Sequence, residues 1–364
     1  MQKLLFLRLL GYIVKEDPQG AEEILGSKEV DFVSFNKFIW DNHIAGTLYS
    51  ILSVSELRPL FPGELIESFK ASYLEQWTKN ERLLKEIGSL SELFDGAGRD
   101  LIFLKGPFLA ERFYGNIDRR AISDIDLLVK KREIDVIDGM LEENSYLRKS
   151  YIFPAQVLAT YFTHHFEYER NGIDLDLHWN LSVHFSFSID YERLWRTNKI
   201  YDFHGKKYRV LSDEYELVFQ ILSIFRDIEL GTLTLKSFLD VYMILKHTGT
   251  NTDWDEFFAC RRNEGIYKIS INILDMALSL LNCSSEFPEL SIYIDQDKKL
   301  IKARDSDDKL GLLNRSGFSF KNKIWAFGLY SASPLFSFLW WVVSLPFKLP
   351  VYRQSSSKLF RRRS

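Results

Sequence analysis

Apolar positions recur every three or four residues through the first hundred residues, the period of helices that bury one face. Segments Val30–Ile51 and Leu65–Phe94 carry it most clearly, and "RPLFPG" and "DGAGRD" punctuate them as turns. The opening run, "MQKLLFLRLLGYIVKEDP", has the apolar character of a leader. Arg8 interrupts it, however, and no small-residue cleavage site precedes Lys15-Glu16-Asp17. It is expected to be a first amphipathic helix.

The period then changes. "DLIFLKG" (Asp100–Gly106) is a short continuous apolar run ending in a turn, the mark of a buried strand. "PFLAERFYGN" follows as a helix, with Pro107 at a favourable first position and Gly115 near its stop. "DIDLLVK" predicts a second strand and "REIDVIDGMLEENSY" a second helix. Further on, "HHFEYERNGIDLDLHWNL" (His164–Leu181) predicts a hairpin, since Asn171-Gly172 is a type I′ turn pair between strand-like runs. On its second arm Asp174, Asp176 and His178 share one face, and Ile173, Leu175 and Leu177 the other.

Helical patterning returns from Ser212 to Leu281, including "LKSFLDVYMILK", and the charged "DQDKKLIKARDSDDK" is a solvated linker or helix face. The expected fold class is α+β: a small mixed sheet flanked by an N-terminal helical region and a C-terminal helical domain. The expected divisions are 1–98, 99–205, 206–300 and 301–364.

The last segment is unusual in having no charged residue from Ile324 to Phe347. Pro334 and Ser331-Ala332-Ser333 break that run. Trp340-Trp341 and the tail "YRQSSSKLFRRRS" have the character of a membrane interface. The first expectation is a docked last helix, peripheral membrane contact through 324–364 is the second, and a true span is the third.

Composition narrows the field. With 46% hydrophobic and 27% charged residues the chain is an ordinary globular protein. Its formal net charge of -3 supplies no global basic field, so extended nucleic-acid binding is not expected. Two cysteines, Cys260 and Cys283, without CxxC spacing, argue against a disulfide framework or zinc ribbon. A reducing, cytoplasmic compartment is expected.

The chemistry gathers around "RRAISDIDLLVKK". Asp124 and Asp126 are one residue apart and would share a strand face, where like charges repel unless something positive lies between them. Phosphoryl and nucleotidyl transfer require positive charge at the reacting oxygens, which divalent ions held by carboxylates supply. Asp176 or Asp174 on the hairpin arm could complete such a set. At Lys105-Gly106 a glycine lets backbone approach a triphosphate. His178 is more simply a hydrogen-bonded support, His164 and His165 packing or surface residues, Asp174 a solvated neighbour and Asp240 a helix-face carboxylate. Glu167, Tyr168 and Glu169 have the character of ordinary strand residues.

The order strand, Lys-Gly, helix, Asp-x-Asp strand and later acid resembles the superfamily sharing the DNA polymerase beta catalytic fold. Through "LIFLKGPFLAERFY", "RRAISDIDLLV" and "DLDLHWNL" it is most similar to a bacterial family known as uncharacterised nucleotidyltransferases. That resemblance implies an Mg2+- or Mn2+-dependent enzyme that moves a nucleoside monophosphate from a nucleoside triphosphate to an unidentified acceptor. It implies metal ligation by Asp124 and Asp126, with Asp176 as third ligand or general base. Nucleotide contacts would fall to Lys105, Gly106, Arg120 and Ser123, with Asp174 and His178 behind them. Pro107 departs from the superfamily pattern, removing the usual serine hydroxyl and one N–H donor. A catalytically silent binding or scaffold protein on the same fold is the alternative.

Overall fold

The computed structural model describes residues 2–27, 29–149, 163–182, 187–303, 306–313 and 320–329, with Leu335, Leu339 and Val342 besides. Most of the aromatic and basic segment 324–364 therefore lies outside the described residues. Two units are present: a sheet unit built on Glu86–Gly106 and Ser123–Ser212, and a helical unit built on Met1–Lys85, Pro107–Ile122 and Asp213–Leu329.

The sheet unit holds seven strands: β1 (Ile102–Leu104), β2 (Ile125–Leu128), β3 (Leu147–Arg148), β4 (His165–Arg170), β5 (Ile173–His178), β6 (Lys199–Phe203) and β7 (Lys206–Val210). Their order is β3-β4-β5-β2-β1-β7-β6. β2 pairs with β5, and β1 with β7, in parallel; the other neighbours are antiparallel. The expected mixed sheet is thus present.

The hairpin turn sets the register of its strands. Asn171 and Gly172 have φ of 54° and 75°, the paired left-handed residues of a type I′ turn. Arg170 therefore faces Ile173, and the ladder runs on through Glu167 opposite Asp176 to His165 opposite His178. Because strand side chains alternate, one face carries Tyr168, Leu175 and Ile125, with Phe166, Leu177 and Leu127 in the next row. All six are buried. A helix, Ile134–Glu143, contributes Ile134, Ile137 and Leu141 to the buried apolar set of this unit. Its buried Asp138 accepts hydrogen bonds from the Tyr168 hydroxyl and, at 2.8 Å, from Arg148 Nη1. Burial and that carboxylate hold the Tyr168 phenol well above the ordinary tyrosine range.

The β6–β7 hairpin was not foreseen from the sequence. Its turn, His204-Gly205, has φ of 51° and 77° and so repeats the geometry of Asn171-Gly172. It straddles the division expected between residues 205 and 206.

In the helical unit the segment 30–51 forms two helices, Phe32–Asp41 and Ala45–Leu52. His43, with φ of 58°, turns the chain between them. Asp31 caps the first by accepting from the backbone N–H groups of Val33 and Ser34. Helix Asp213–Leu230 is the centre of the unit, packing against Leu235–Thr248, Tyr267–Leu280 and Phe320–Phe327. Its buried face includes Leu217, Ile221, Leu222, Ile224 and Ile228. Among the described residues no helix is long and apolar enough to cross a membrane.

Candidate functional site

The face of the sheet opposite the apolar rows carries the polar side chains. Asp126 on β2 and Asp176 on β5 are Cα partners in parallel register, so both carboxylates leave the sheet on one side. Glu167 on β4 continues that row beyond Asp176, and Leu104 on β1 continues it beyond Asp126. One row further along stand His165 and His178, also direct partners.

Ligand-capable atoms of Asp126, Asp176 and His178 all lie within 4.8 Å of one another. Asp126 is 7% exposed and His178 2%, while Asp176 is half-buried. The His178 Nε2 is 2.9 Å from Asp126 Oδ1. The His165 Nε2 is 3.9 Å from Asp176 Oδ2 and 4.0 Å from Glu167 Oε1. Two carboxylates held this close on a mostly buried face repel each other, and positive charge between them relieves that repulsion. The donor set, two carboxylates and an imidazole, suits a divalent cation.

The remaining expected residues are placed as follows. Asp124 lies just ahead of β2 and accepts a 2.7 Å hydrogen bond from the Ser123 hydroxyl. It is not part of the three-atom cluster. Asp174, on the same face of β5 as Asp176, is bound by the Lys149 ammonium, which also pairs with Glu169 at 3.0 Å. Burial opposes the charge on Lys149, but the two acids outweigh it and raise its pKa.

Lys105 directly follows the residue opposite Asp126. It has φ of 44°, left-handed backbone that a β-carbon makes costly, and Gly106 follows at 57°. Gly106 is buried, yet a Cβ built on it would meet nothing within 4 Å. The expected helix after this turn is one α-turn, Gly106–Leu109, running into a π-helical turn, Ala110–Tyr114. Gly115 ends it with φ of 74°.

Arg120 has a partner that the sequence did not announce. It lies in the helical unit, 4% exposed, where its Nε donates to Asp240 Oδ1 at 2.7 Å and its Nη2 to Oδ2 at 2.8 Å. Asp240 is buried on helix Leu235–Thr248 rather than on an exposed helix face, and it also accepts from the Tyr114 hydroxyl at 2.7 Å. Burial pushes the Asp240 carboxyl up, but the Arg120 charge and hydrogen bonds prevail and hold it below the ordinary range. Through Nε and Nη2 the guanidinium is held by Asp240 within the helical unit.

The structure also sets Glu167 and His165 beside Asp176, where the sequence reading had ordinary strand, packing or surface residues. The signal was available: a two-residue turn at Asn171-Gly172 fixes which β4 residue faces Asp176 and which faces His178.

Residues 28–282 match a protein family described as uncharacterised nucleotidyltransferase. The chain belongs to this family. Nucleotidyltransferases move a nucleoside monophosphate from a triphosphate to an acceptor. No curated protein matches the sequence. Among solved structures, the chain is similar to the antibiotic-resistance factor ANT(2'')-Ia, at 12% identity and a TM-score of 0.36, over 50% of this chain and 91% of the other. It is similar to the lincosamide antibiotic adenylyltransferase LnuA, lincomycin-bound, at 19% identity and a TM-score of 0.31, over 44% and 94%. A third is an antigenic nucleotidyltransferase-like protein from Paracoccidioides brasiliensis, at 16% identity and a TM-score of 0.31, over 58% and 91%.

Proposed function

We propose that this nucleotidyltransferase uses Mg2+ or Mn2+, held by Asp126 and Asp176 with Asp124, to transfer a nucleoside monophosphate and release pyrophosphate. One observation carries the reading: Asp126 and Asp176 are in-register partners on adjacent parallel strands, with ligand atoms inside a 4.8 Å cluster that includes His178. Bound there, divalent ions supply positive charge at the reacting phosphate oxygens.

The chain's own residues do the rest. Lys105 places a positive charge beside the triphosphate, and the Gly106 backbone, with open space where a side chain would stand, lets it approach closely. The Ser123 hydroxyl, now donating to Asp124, turns to a phosphate oxygen. Asp176 takes the proton of the acceptor hydroxyl as that oxygen attacks the α-phosphorus, the phosphorus–oxygen bond to pyrophosphate breaking in line. The acceptor is a hydroxyl or phosphate on a small molecule, glycan, protein or tRNA end. The catalytic core is assigned to 99–205, in the cytoplasm.

Incubation of purified protein with each labelled nucleoside triphosphate, Mg2+ or Mn2+ and a cell extract tests the reading. A labelled fraction that disappears in Asp126→Asn supports it, and equal labelling by a folded Asp126→Asn protein refutes it. Peripheral membrane contact through 324–364 rests on the aromatic and basic sequence there. Co-sedimentation with anionic liposomes that is lost on truncation after residue 323 supports it, and recovery in the supernatant refutes it.

A further inference from the structure

Two ligand-capable groups share His178: one with Asp126 and Asp176, the other with His164 and His165. His178 is 2% exposed at the end of β5, with its Nε2 2.9 Å from Asp126 Oδ1. A hydrogen bond has that length, and so does the edge of a coordination octahedron. Two ligands about 2.1 Å from one ion and at right angles to each other lie about 3.0 Å apart.

The imidazole surroundings extend further. The His165 and His178 rings stack with centroids 5.0 Å apart, and the His164 and His165 rings meet edge to face at 4.4 Å. The carboxylate pair is therefore lined with nitrogen donors on the side away from Glu169 and Asp174. Magnesium selects oxygen ligands, whereas imidazole nitrogen suits first-row transition metals. We propose that His178 is itself a metal ligand, through Nε2, and that the centre takes Mn2+, Co2+ or Zn2+ in preference to Mg2+. Asp126 and Asp176 are the other two ligands of that cluster, and Asp124 keeps the role proposed above. The proposal rests on the reading that these two aspartates hold the ion used in nucleotidyl transfer, and it replaces an all-oxygen ligand set with a mixed one.

Cobalt is the probe, because its spectra report the ligand type. Full-length protein titrated with Co2+ is expected to gain a visible absorption band. Its proton spectrum should gain a hyperfine-shifted, exchangeable imidazole signal from the Nδ1–H of a histidine bound through Nε2. Millimolar Mg2+ should not displace the cobalt. His178→Gln should weaken Co2+ binding on the order of 10- to 100-fold or more. Bound cobalt with no shifted imidazole signal overturns the proposal, and so does Co2+ affinity in folded His178→Gln equal to wild type. Should that variant not fold, the wild-type imidazole signal alone decides. Transfer of a nucleotide with Mg2+ by a protein lacking the signal overturns this proposal and leaves nucleotidyl transfer standing. The signal together with no transfer to any acceptor does the reverse.

Discussion

Removing the Asp240 carboxylate should unfold the helical unit at far lower denaturant. Arg120 and Asp240 are 4% and 2% exposed and joined by two charged hydrogen bonds of 2.7 and 2.8 Å, with the Tyr114 hydroxyl on the same carboxylate. Asp240→Ala strands a guanidinium and a hydroxyl in an apolar interior. Breaking a buried pair from one side costs about 3–5 kcal/mol, and the abandoned hydroxyl raises the total to about 4–6 kcal/mol. Domains are stable by only about 5–15 kcal/mol, so the variant sits near the edge of folding. At a urea dependence of about 2 kcal/mol per molar, the midpoint falls by about 2–3 M. Urea titration followed by far-UV circular dichroism measures this. The double variant Arg120→Met/Asp240→Leu should recover most of the loss, because an apolar pair of similar volume leaves no charge uncompensated. An Asp240→Ala protein within about 1 kcal/mol of wild type, or a double variant no better than the single one, refutes the buried-pair account.

Three further outcomes are expected. Acid should erode the same pair: the Asp240 carboxyl is held below its ordinary value, so its stabilisation is complete above about pH 4 and is lost as pH falls through the lowered pKa. The stability gap between wild type and Asp240→Asn should accordingly narrow only in that acid range, as urea midpoints taken from pH 7 down to 2 will show. Leu177→Ala should cost about 2–5 kcal/mol, since Leu177 is fully buried in the apolar row shared with Phe166 and Leu127. Gly172→Ala should cost about 1–2 kcal/mol, because Gly172 holds φ of 75° in the hairpin turn; a midpoint equal to wild type would contradict the type I′ assignment.

Local chemistry made the hairpin legible. Asn-Gly between alternating runs announces a two-residue turn, and that turn fixes every pair from Arg170–Ile173 to His165–His178. The same arithmetic places Glu167 beside Asp176, which residue-by-residue weighing of strand polarity passed over. The parallel match of Asp126 with Asp176 was approachable because both lie in alternating strands with one apolar face. The partner of Arg120 was hidden for a different reason. It is 120 residues away on a helix, and a buried ion pair of that span leaves no periodic trace. The β6–β7 hairpin carried a weaker turn signal, His204-Gly205, in a strongly charged stretch where strand alternation is hard to see.

The central claim is that Asp126 and Asp176 converge to support transfer of a nucleoside monophosphate. Parallel reactions with triphosphate labelled at the α- or the γ-phosphate, each run with wild type and with Asp126→Asn, test it most directly. The expected result is α-label on the acceptor, γ-label only in pyrophosphate, and a loss of about a thousandfold or more in the variant, equivalent to several kcal/mol of charge stabilisation. Transfer of γ-label to the acceptor, or α-labelling by a folded variant at the wild-type rate, would contradict it.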